Sequence, residues 1–376
     1  MKLLVVSHSC ATATNQRIYA ELQARPGWDV TLAIPAGWRD EFGNVLDQPS
    51  CPGLEGRVWK LPVLGAGKII LHAYRVSWAR ILRREKFDVI YVSEEPYAVA
   101  AAQICLANLR SARPAALGFY SAQNIRKQYP PPFAWTERML YRRSRFAFPV
   151  TEAVAAVLAE KGFRGAAPVC PLPIDPGLYH PDRETAARRD GEVVLGYVGR
   201  LVEAKGLRTL AAALGKLGDR AWRLVVIGSG DYEAKFREEL RAGGVLERVD
   251  FRGFVPHEET PRFLRAMDVV VVPSETQPNW KEQFGRVIPE ALACGAAVVG
   301  SDSGEIPILI ERSGGGLVFP ERDAAALAER LRVMIDNADM RRAFSQTGGS
   351  WVTATLSVRA VAERMAVTME EARDAA

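Results

Sequence analysis

PNWKEQFGRVIPEALACGAAVVGSDSGEIP, residues 278–307, is the stretch on which the fold turns. It is entered from an apolar run, 268–273, and contains a second, 296–300; both are apolar enough to be buried on two faces, as strands of a parallel sheet are. Between them a polar loop leads to Gly285, which opens a helix that carries Pro289 in its first turn or so, where proline is tolerated. Strand, loop, helix and strand in that order make a βα unit. The free amides at the helix start, near Gly285, Arg286 and Val287, form a site for a phosphate. Glu282 lies in the loop and Glu290 in the helix, so two carboxylates flank that anion site and suit hydrogen bonds to sugar hydroxyls. The plainer reading is a solvated helix start with incidental glutamates.

Outward from this block the same alternation continues. Strands are expected at 192–198, 222–228 and 248–252 in the same half, and at 2–7, 29–34, 88–93, 115–121 and 145–150 in the other. Helical periodicity falls at about 14–25, 70–86, 96–109, 133–143 and 151–162. The segment PVCPLPIDPGLYHPD, 168–182, breaks helix and sheet alike with five prolines in fifteen residues, and reads as a hinge. Three segments follow: an N-terminal domain over 1–173, a second over 174–355, and a C-terminal helix over 356–376 that either caps the second domain or crosses back to the first. The fold class is α/β, with two doubly wound Rossmann-like sheets facing a central cleft, where open α/β sheets bind ligands at their strand C-terminal edges.

At 376 residues the chain has room for two full cores. Its 48% hydrophobic and 25% charged residues exclude a disordered or fibrous protein. The five cysteines, Cys10, Cys51, Cys105, Cys170 and Cys294, lie too far apart for a metal knuckle or redox dithiol and read as reduced thiols. The opening MKLLVVSHSC has too short an apolar run for a signal peptide, and no segment approaches the ~20 apolar residues of a membrane span. A cytoplasmic enzyme is the expectation. Charge is unevenly shared: residues 1–173 carry 22 Lys and Arg against 13 Asp and Glu, and the remainder 27 against 31. That asymmetry points to an anionic partner of the first half.

A second block, GYVGRLVEAKGLRTL, 196–210, runs from a buried strand through a glycine turn to Arg200 and then to Lys205 and Gly206 at the next helix. Two cations at such a turn form an electrostatic clamp for a diphosphate leaving group; two ordinary surface cations are the plainer reading. Taken together, the blocks resemble the donor-binding signature of the family-4 retaining glycosyltransferases, enzymes of the GT-B fold. The likeness rests on Glu282 and Glu290 with seven residues between them, preceded by Gly199-Arg200 and Lys205-Gly206, and on VVIGSGDYE (225–233), DFRGFVPHEE (250–259) and ALACGAAVVGSDSGEIP (291–307). It covers most of 192–320 and over 1–173 is mainly one of topology. The resemblance implies that Arg200 and Lys205 bind the donor diphosphate and that the amides of Phe284, Gly285, Arg286 and Val287 bind its distal phosphate. It likewise places Glu282 on the donor sugar, Glu290 on the ribose, and the base near Phe254 and Val255. Catalysis then falls to Arg200, Lys205 and Glu282, without cofactor or metal; no Asp-x-Asp stands at a strand end.

The chain departs from the family where relatives carry a Gly-Gly turn after the first strand, which here reads SHSCATATNQ, and where many carry a histidine, which here reads SAQN with Gln123 and Asn124. His8 and Glu94, at strand ends, join Gln123 and Asn124 as candidates for the acceptor or donor-sugar side; at most one of Glu94 and Glu95 is expected to matter. His72, His180 and His257 read as structural. A nicotinamide-dependent oxidoreductase would need the third glycine that Gly228-Ser229-Gly230 lacks. A nucleotide-sugar epimerase, an inverting transferase and a non-catalytic nucleotide-sugar-binding protein are the nearer alternatives. The expected partners are a nucleotide-sugar donor and a glycan or lipid-linked acceptor. Over 57–145 there are 16 Lys and Arg against 5 Asp and Glu, and much of this charge falls in two stretches with helical spacing, 69–86 and 136–145, that interleave arginine with apolar residues. This suits peripheral attachment to an anionic membrane, at its inner face, better than nucleic acid, whose stacking aromatics sit on an open sheet.

Overall fold

The computed structural model of the chain describes residues 1–39, 43–182 and 191–375. They form two compact units, Met1–Pro173 with Val358–Ala376, and Ile174–Ser357. In the first, β1 (Lys2–Val6), β2 (Asp29–Pro35), β3 (Val58–Leu61), the short β4 (Val63–Leu64) and β5 (Ala73–Tyr74), β6 (Val89–Val92), β7 (Ala116–Ser121) and β8 (Phe146–Pro149) alternate with α1 (Arg17–Gln23), α2 (Trp78–Glu85), α3 (Val99–Leu109), α4 (Phe133–Arg143) and α5 (Glu152–Glu160). The main sheet runs β3-β2-β1-β6-β7-β8, parallel throughout, and β4 pairs with β5 antiparallel.

The second unit has β9 (Val193–Val198), β10 (Trp222–Ile227), β11 (Val249–Gly253), β12 (Val269–Val272), β13 (Ala297–Ser301) and β14 (Gly316–Phe319), ordered β11-β10-β9-β12-β13-β14 and again all parallel. Its helices are α6 (Leu207–Leu214), α7 (Glu233–Ala242), α8 (Thr260–Leu264), α9 (Val287–Ala293), α10 (Ile306–Ser313), α11 (Ala324–Asp336) and α12 (Ala338–Leu356). Each sheet reverses its winding at the centre, between β1 and β6 in one and β9 and β12 in the other. That places the crevice for a ligand beyond the C-terminal ends of those strands.

The stretch 70–86 is not one helix. Ala73–Tyr74 is a strand paired with Val63–Leu64, and the Gln103 amide adds to it, accepting from Tyr74 N at 2.8 Å and donating to Tyr74 O at 3.2 Å. The helix starts only at Trp78, after Ser77, whose hydroxyl accepts from Arg80 N. Two edge strands, β3 and β14, were absent from the expected set. The last helix, α13 (Val358–Asp374), belongs to the first unit: Val361, Met365 and Met369 are buried with Leu3, Ile18, Leu22 and Val30, and Trp28 Nε1 donates to Glu370 at 3.1 Å.

Because Met369 is wholly buried in that core, Met369→Ala is expected to destabilise the first unit by about 2–5 kcal/mol. Chemical unfolding followed by fluorescence measures it; an unchanged midpoint would show that α13 adds nothing to the core.

Candidate active site

In the second unit the loops after β9 and β12 meet at Glu282. After β9 the chain turns through Gly199 and Arg200, then Glu203–Lys205 forms one 3₁₀ turn. Gly206 follows at φ +68°, and a Cβ there would lie 1.8 Å from Pro273 O, so only glycine lets this loop rest on the end of β12. Lys205 Nζ thereby reaches Glu282 Oε2 at 2.6 Å, and Ser274 Oγ donates to the same oxygen at 2.8 Å. The Lys205 ammonium also lies 5.0 Å from the Trp280 ring centroid. Lys205 and Glu282, expected to serve diphosphate and sugar separately, thus form one ion pair. An ammonium has three N–H donors, so Lys205 can hold Glu282 and still donate to a phosphate. Arg200 is exposed on the same loop as Lys205, and its carbonyl accepts from Tyr197 Oη at 2.7 Å.

Gly285 stands at φ +72° and α9 begins at Val287, two residues later than expected; Phe284 is buried and Arg286 precedes the helix. Glu290 is buried in the first turn. Its Oε1 receives Arg286 Nε at 2.9 Å and lies 3.0 Å from His257 Nε2, which is also 2.9 Å from Tyr179 Oη. His257, read from the sequence as structural, is thus a partner of Glu290. It lies on the loop after β11 with Phe254, which is exposed, and Val255, which is half-buried. His180 keeps a structural place, its carbonyl accepting from Arg265 at 2.9 Å.

In the first unit, His8 follows β1 and Glu94 follows β6. Glu94 accepts from His8 N at 2.7 Å through Oε1 and lies 2.5 Å from His8 Nδ1 through Oε2. His72 is wholly buried with Nε2 3.8 Å from Glu94 Oε1, and burial lowers its pKa. The Trp38 ring lies 5.0 Å from its own. Glu95 turns the other way: it accepts from Ser121 Oγ at 2.9 Å and Ala122 N at 2.7 Å, and burial pushes its pKa up to about 7. Gln123 and Asn124 sit on that β7 side, Gln123 Nε2 donating to Tyr129 Oη at 3.4 Å and Asn124 buried. Among the described residues no group of three or more His, Cys, Asp or Glu gathers as a metal site.

Two doubly wound parallel sheets with charged groups at their central C-terminal edges define the GT-B class. Sucrose-phosphate synthase from Thermosynechococcus elongatus has the same fold, with a TM-score of 0.75 at 19% identity over 100% of both chains. So does Anabaena HepE in complex with UDP, with a TM-score of 0.76 at 18% identity over 99% of this chain and 100% of that one. The chain belongs to the family-4 glycosyltransferases: residues 180–351 match the glycosyl transferases group 1 family, and 11–175 match the glycosyl transferase 4-like domain. The 2-deoxystreptamine N-acetyl-D-glucosaminyltransferase of Streptomyces fradiae is 29% identical over 221 residues, 56% of this chain and 51% of that protein. The chain spans about half the length of the curated relatives it matches.

The raised pKa of Glu95 has a consequence for stability. Its carboxyl titrates near 4.5 when unfolded and near 7 when folded, so the folded state holds the extra proton between those values. Its contribution is complete below about 4.5 and is lost as pH rises to about 7. Glu95→Gln is expected to flatten that part of the profile and to exceed wild type in stability at pH 8 relative to pH 5. Unfolding midpoints at the two pH values decide it; parallel profiles for both proteins would refute the assignment.

Proposed function

We propose that the chain is a retaining glycosyltransferase that moves a sugar from a nucleoside-diphosphate sugar to a glycan or lipid-linked saccharide. The observation that carries this reading is the gathering of Arg200, Lys205, Glu282 and Glu290 at one sheet edge of the second unit. In this reading Arg200 and Lys205 stabilise the charge that grows on the departing diphosphate, whose own oxygen takes the acceptor proton on the same face of the sugar. Glu282, held by Lys205 and Ser274, binds the donor sugar, and Glu290 binds the ribose. The amides of Phe284 to Val287 and the loop at Phe254 and Val255 take the distal phosphate and the base. His8, Glu94, Gln123 and Asn124 serve the acceptor or donor-sugar side. No metal is required, since the two cations do a metal's electrostatic work. The UDP bound by Anabaena HepE makes UDP sugars the first donors to try.

Replacing Arg200 or Lys205 by Ala is expected to lower turnover by ~10²-fold or more. Nucleotide release from a panel of nucleotide sugars measures it, and the anomeric configuration of the product, read by NMR, tests retention. A double variant near wild-type activity would sink the leaving-group role.

The acceptor is proposed to be presented at an anionic membrane surface. Arg80, Arg83 and Arg84 on α2, and Arg138, Arg142 and Arg143 on α4, are exposed, as are Leu106 and Leu109 on the intervening α3 and Trp135 on α4. Cations of this kind contribute ~1 kcal/mol each at such a surface, so three suffice for reversible, salt-sensitive attachment. No described helix is long and apolar enough to cross a membrane. Wild type is expected to sediment with vesicles rich in anionic lipid at low salt, and Arg142→Glu/Arg143→Glu to sediment less. Wild type in the supernatant at every composition would rule attachment out.

A further inference from the structure

We infer that His257 and Tyr179 are positioning residues for the nucleotide: they hold the Glu290 carboxylate where it accepts a ribose hydroxyl. The inference rests on the assignment of Glu290 to the ribose proposed above, and extends it to two residues on other loops.

The argument begins with the cost of burying a carboxylate. Glu290 is 5% exposed, and a charge so withdrawn from water needs fixed partners. Arg286 is one, four residues earlier on the chain. The other is His257 Nε2, 33 residues away in sequence and 3.0 Å from Oε1. A carboxylate only accepts, so Nε2 must carry a hydrogen and donate it. Tyr179 Oη, 2.9 Å from the same Nε2, therefore cannot donate to it; its own proton is left for another acceptor, either His257 O at 3.5 Å or the Glu290 carboxylate, which is also within its reach.

Tyr179 can hold the imidazole because it is itself held. It is 2% exposed, its N–H donates to Asp175 O at 2.8 Å, and Arg265 binds the carbonyls on either side, at Leu178 and His180. Its ring centroid lies 5.6 Å from that of His257. The loop after β11 thus carries Phe254 and Val255 for the base and His257 for the carboxylate that meets the ribose. Recognition of base and ribose then depends on one loop being in place.

The test is a cycle between protein and ligand, by calorimetry, using UDP or GDP, whichever binds more tightly, and its 2′,3′-dideoxy form. Wild type is expected to prefer the hydroxylated nucleotide by roughly 10- to 100-fold, the worth of a hydrogen bond to a charged group. Glu290→Ala, the control, abolishes that preference. In His257→Ala the preference falls at least about threefold, more than scatter between neighbouring contacts, whereas His257→Gln, whose amide N–H can reach the carboxylate, keeps most of it. Tyr179→Phe lowers it by less than His257→Ala. A general structural role would weaken both nucleotides equally and leave the preference unchanged; that result, with circular dichroism showing intact variants, overturns the inference while the ribose assignment of Glu290 stands. Wild type without any preference, or with no affinity for either nucleotide, overturns both together.

Discussion

The ion pair between Lys205 and Glu282 is the contact on which the second unit's site depends. Glu282 is 8% exposed, and a carboxylate in that position must be paired. Its side chain receives Lys205 from the loop after β9 and Ser274 from the end of β12. Its backbone fixes a third loop: Glu282 O accepts from Glu305 N at 3.3 Å, and a Cβ on Gly304 would stand 2.0 Å from that oxygen. Three loops from adjacent strands therefore converge on one residue. Removing Lys205 costs more than the pair is worth, because Glu282 is left buried without its counter-charge.

The fold was legible because its strands are apolar on both faces. Val269–Val272 and Val193–Val198 declare themselves by composition, and the Gly and Pro clusters mark where each ends. What escaped was decided by tertiary contacts. Val58–Leu61 is an edge strand, mostly half-buried, with too little apolar pattern to stand out. Gly316–Phe319 follows Ser-Gly-Gly, which reads as a turn. Ala73–Tyr74 is a strand because it pairs with Val63–Leu64 on one side and takes two hydrogen bonds from Gln103, 29 residues on, on the other. No local periodicity records such a partner.

The site was legible to the extent that it repeats a motif. Glu282, Glu290, Arg200 and Lys205 were found by spacing, and the structure sets all four at one sheet edge. Their mutual pairing was not legible, since a motif gives residue types and order but not which charges satisfy each other. His257 shows the gap plainly. It lies three residues beyond Phe254, inside a stretch already marked, yet only the packed loop brings it to Glu290. A histidine three residues beyond Phe254, in the stretch that the resemblance assigns to the base, is the signal that was there to be used.

The two sheets share one strand order and reverse at the same place, yet their central edges hold different chemistry. Beyond β9 and β12 stand cations and carboxylates in pairs. Beyond β1 and β6 stands His8, gripped by Glu94 through both its backbone N–H and its ring Nδ1. Because the carboxylate only accepts, Nδ1 carries the hydrogen, so in the neutral ring Nε2 is the unprotonated nitrogen. His72 and Trp38 wall this dyad with rings rather than charges. Shared topology thus fixes where each site lies, and the loop residues fix what it binds. A cationic edge suits a diphosphate, whereas an imidazole beside aromatic rings suits sugar hydroxyls, and on that ground the diphosphate is proposed for the second unit and His8 is set on the acceptor or donor-sugar side.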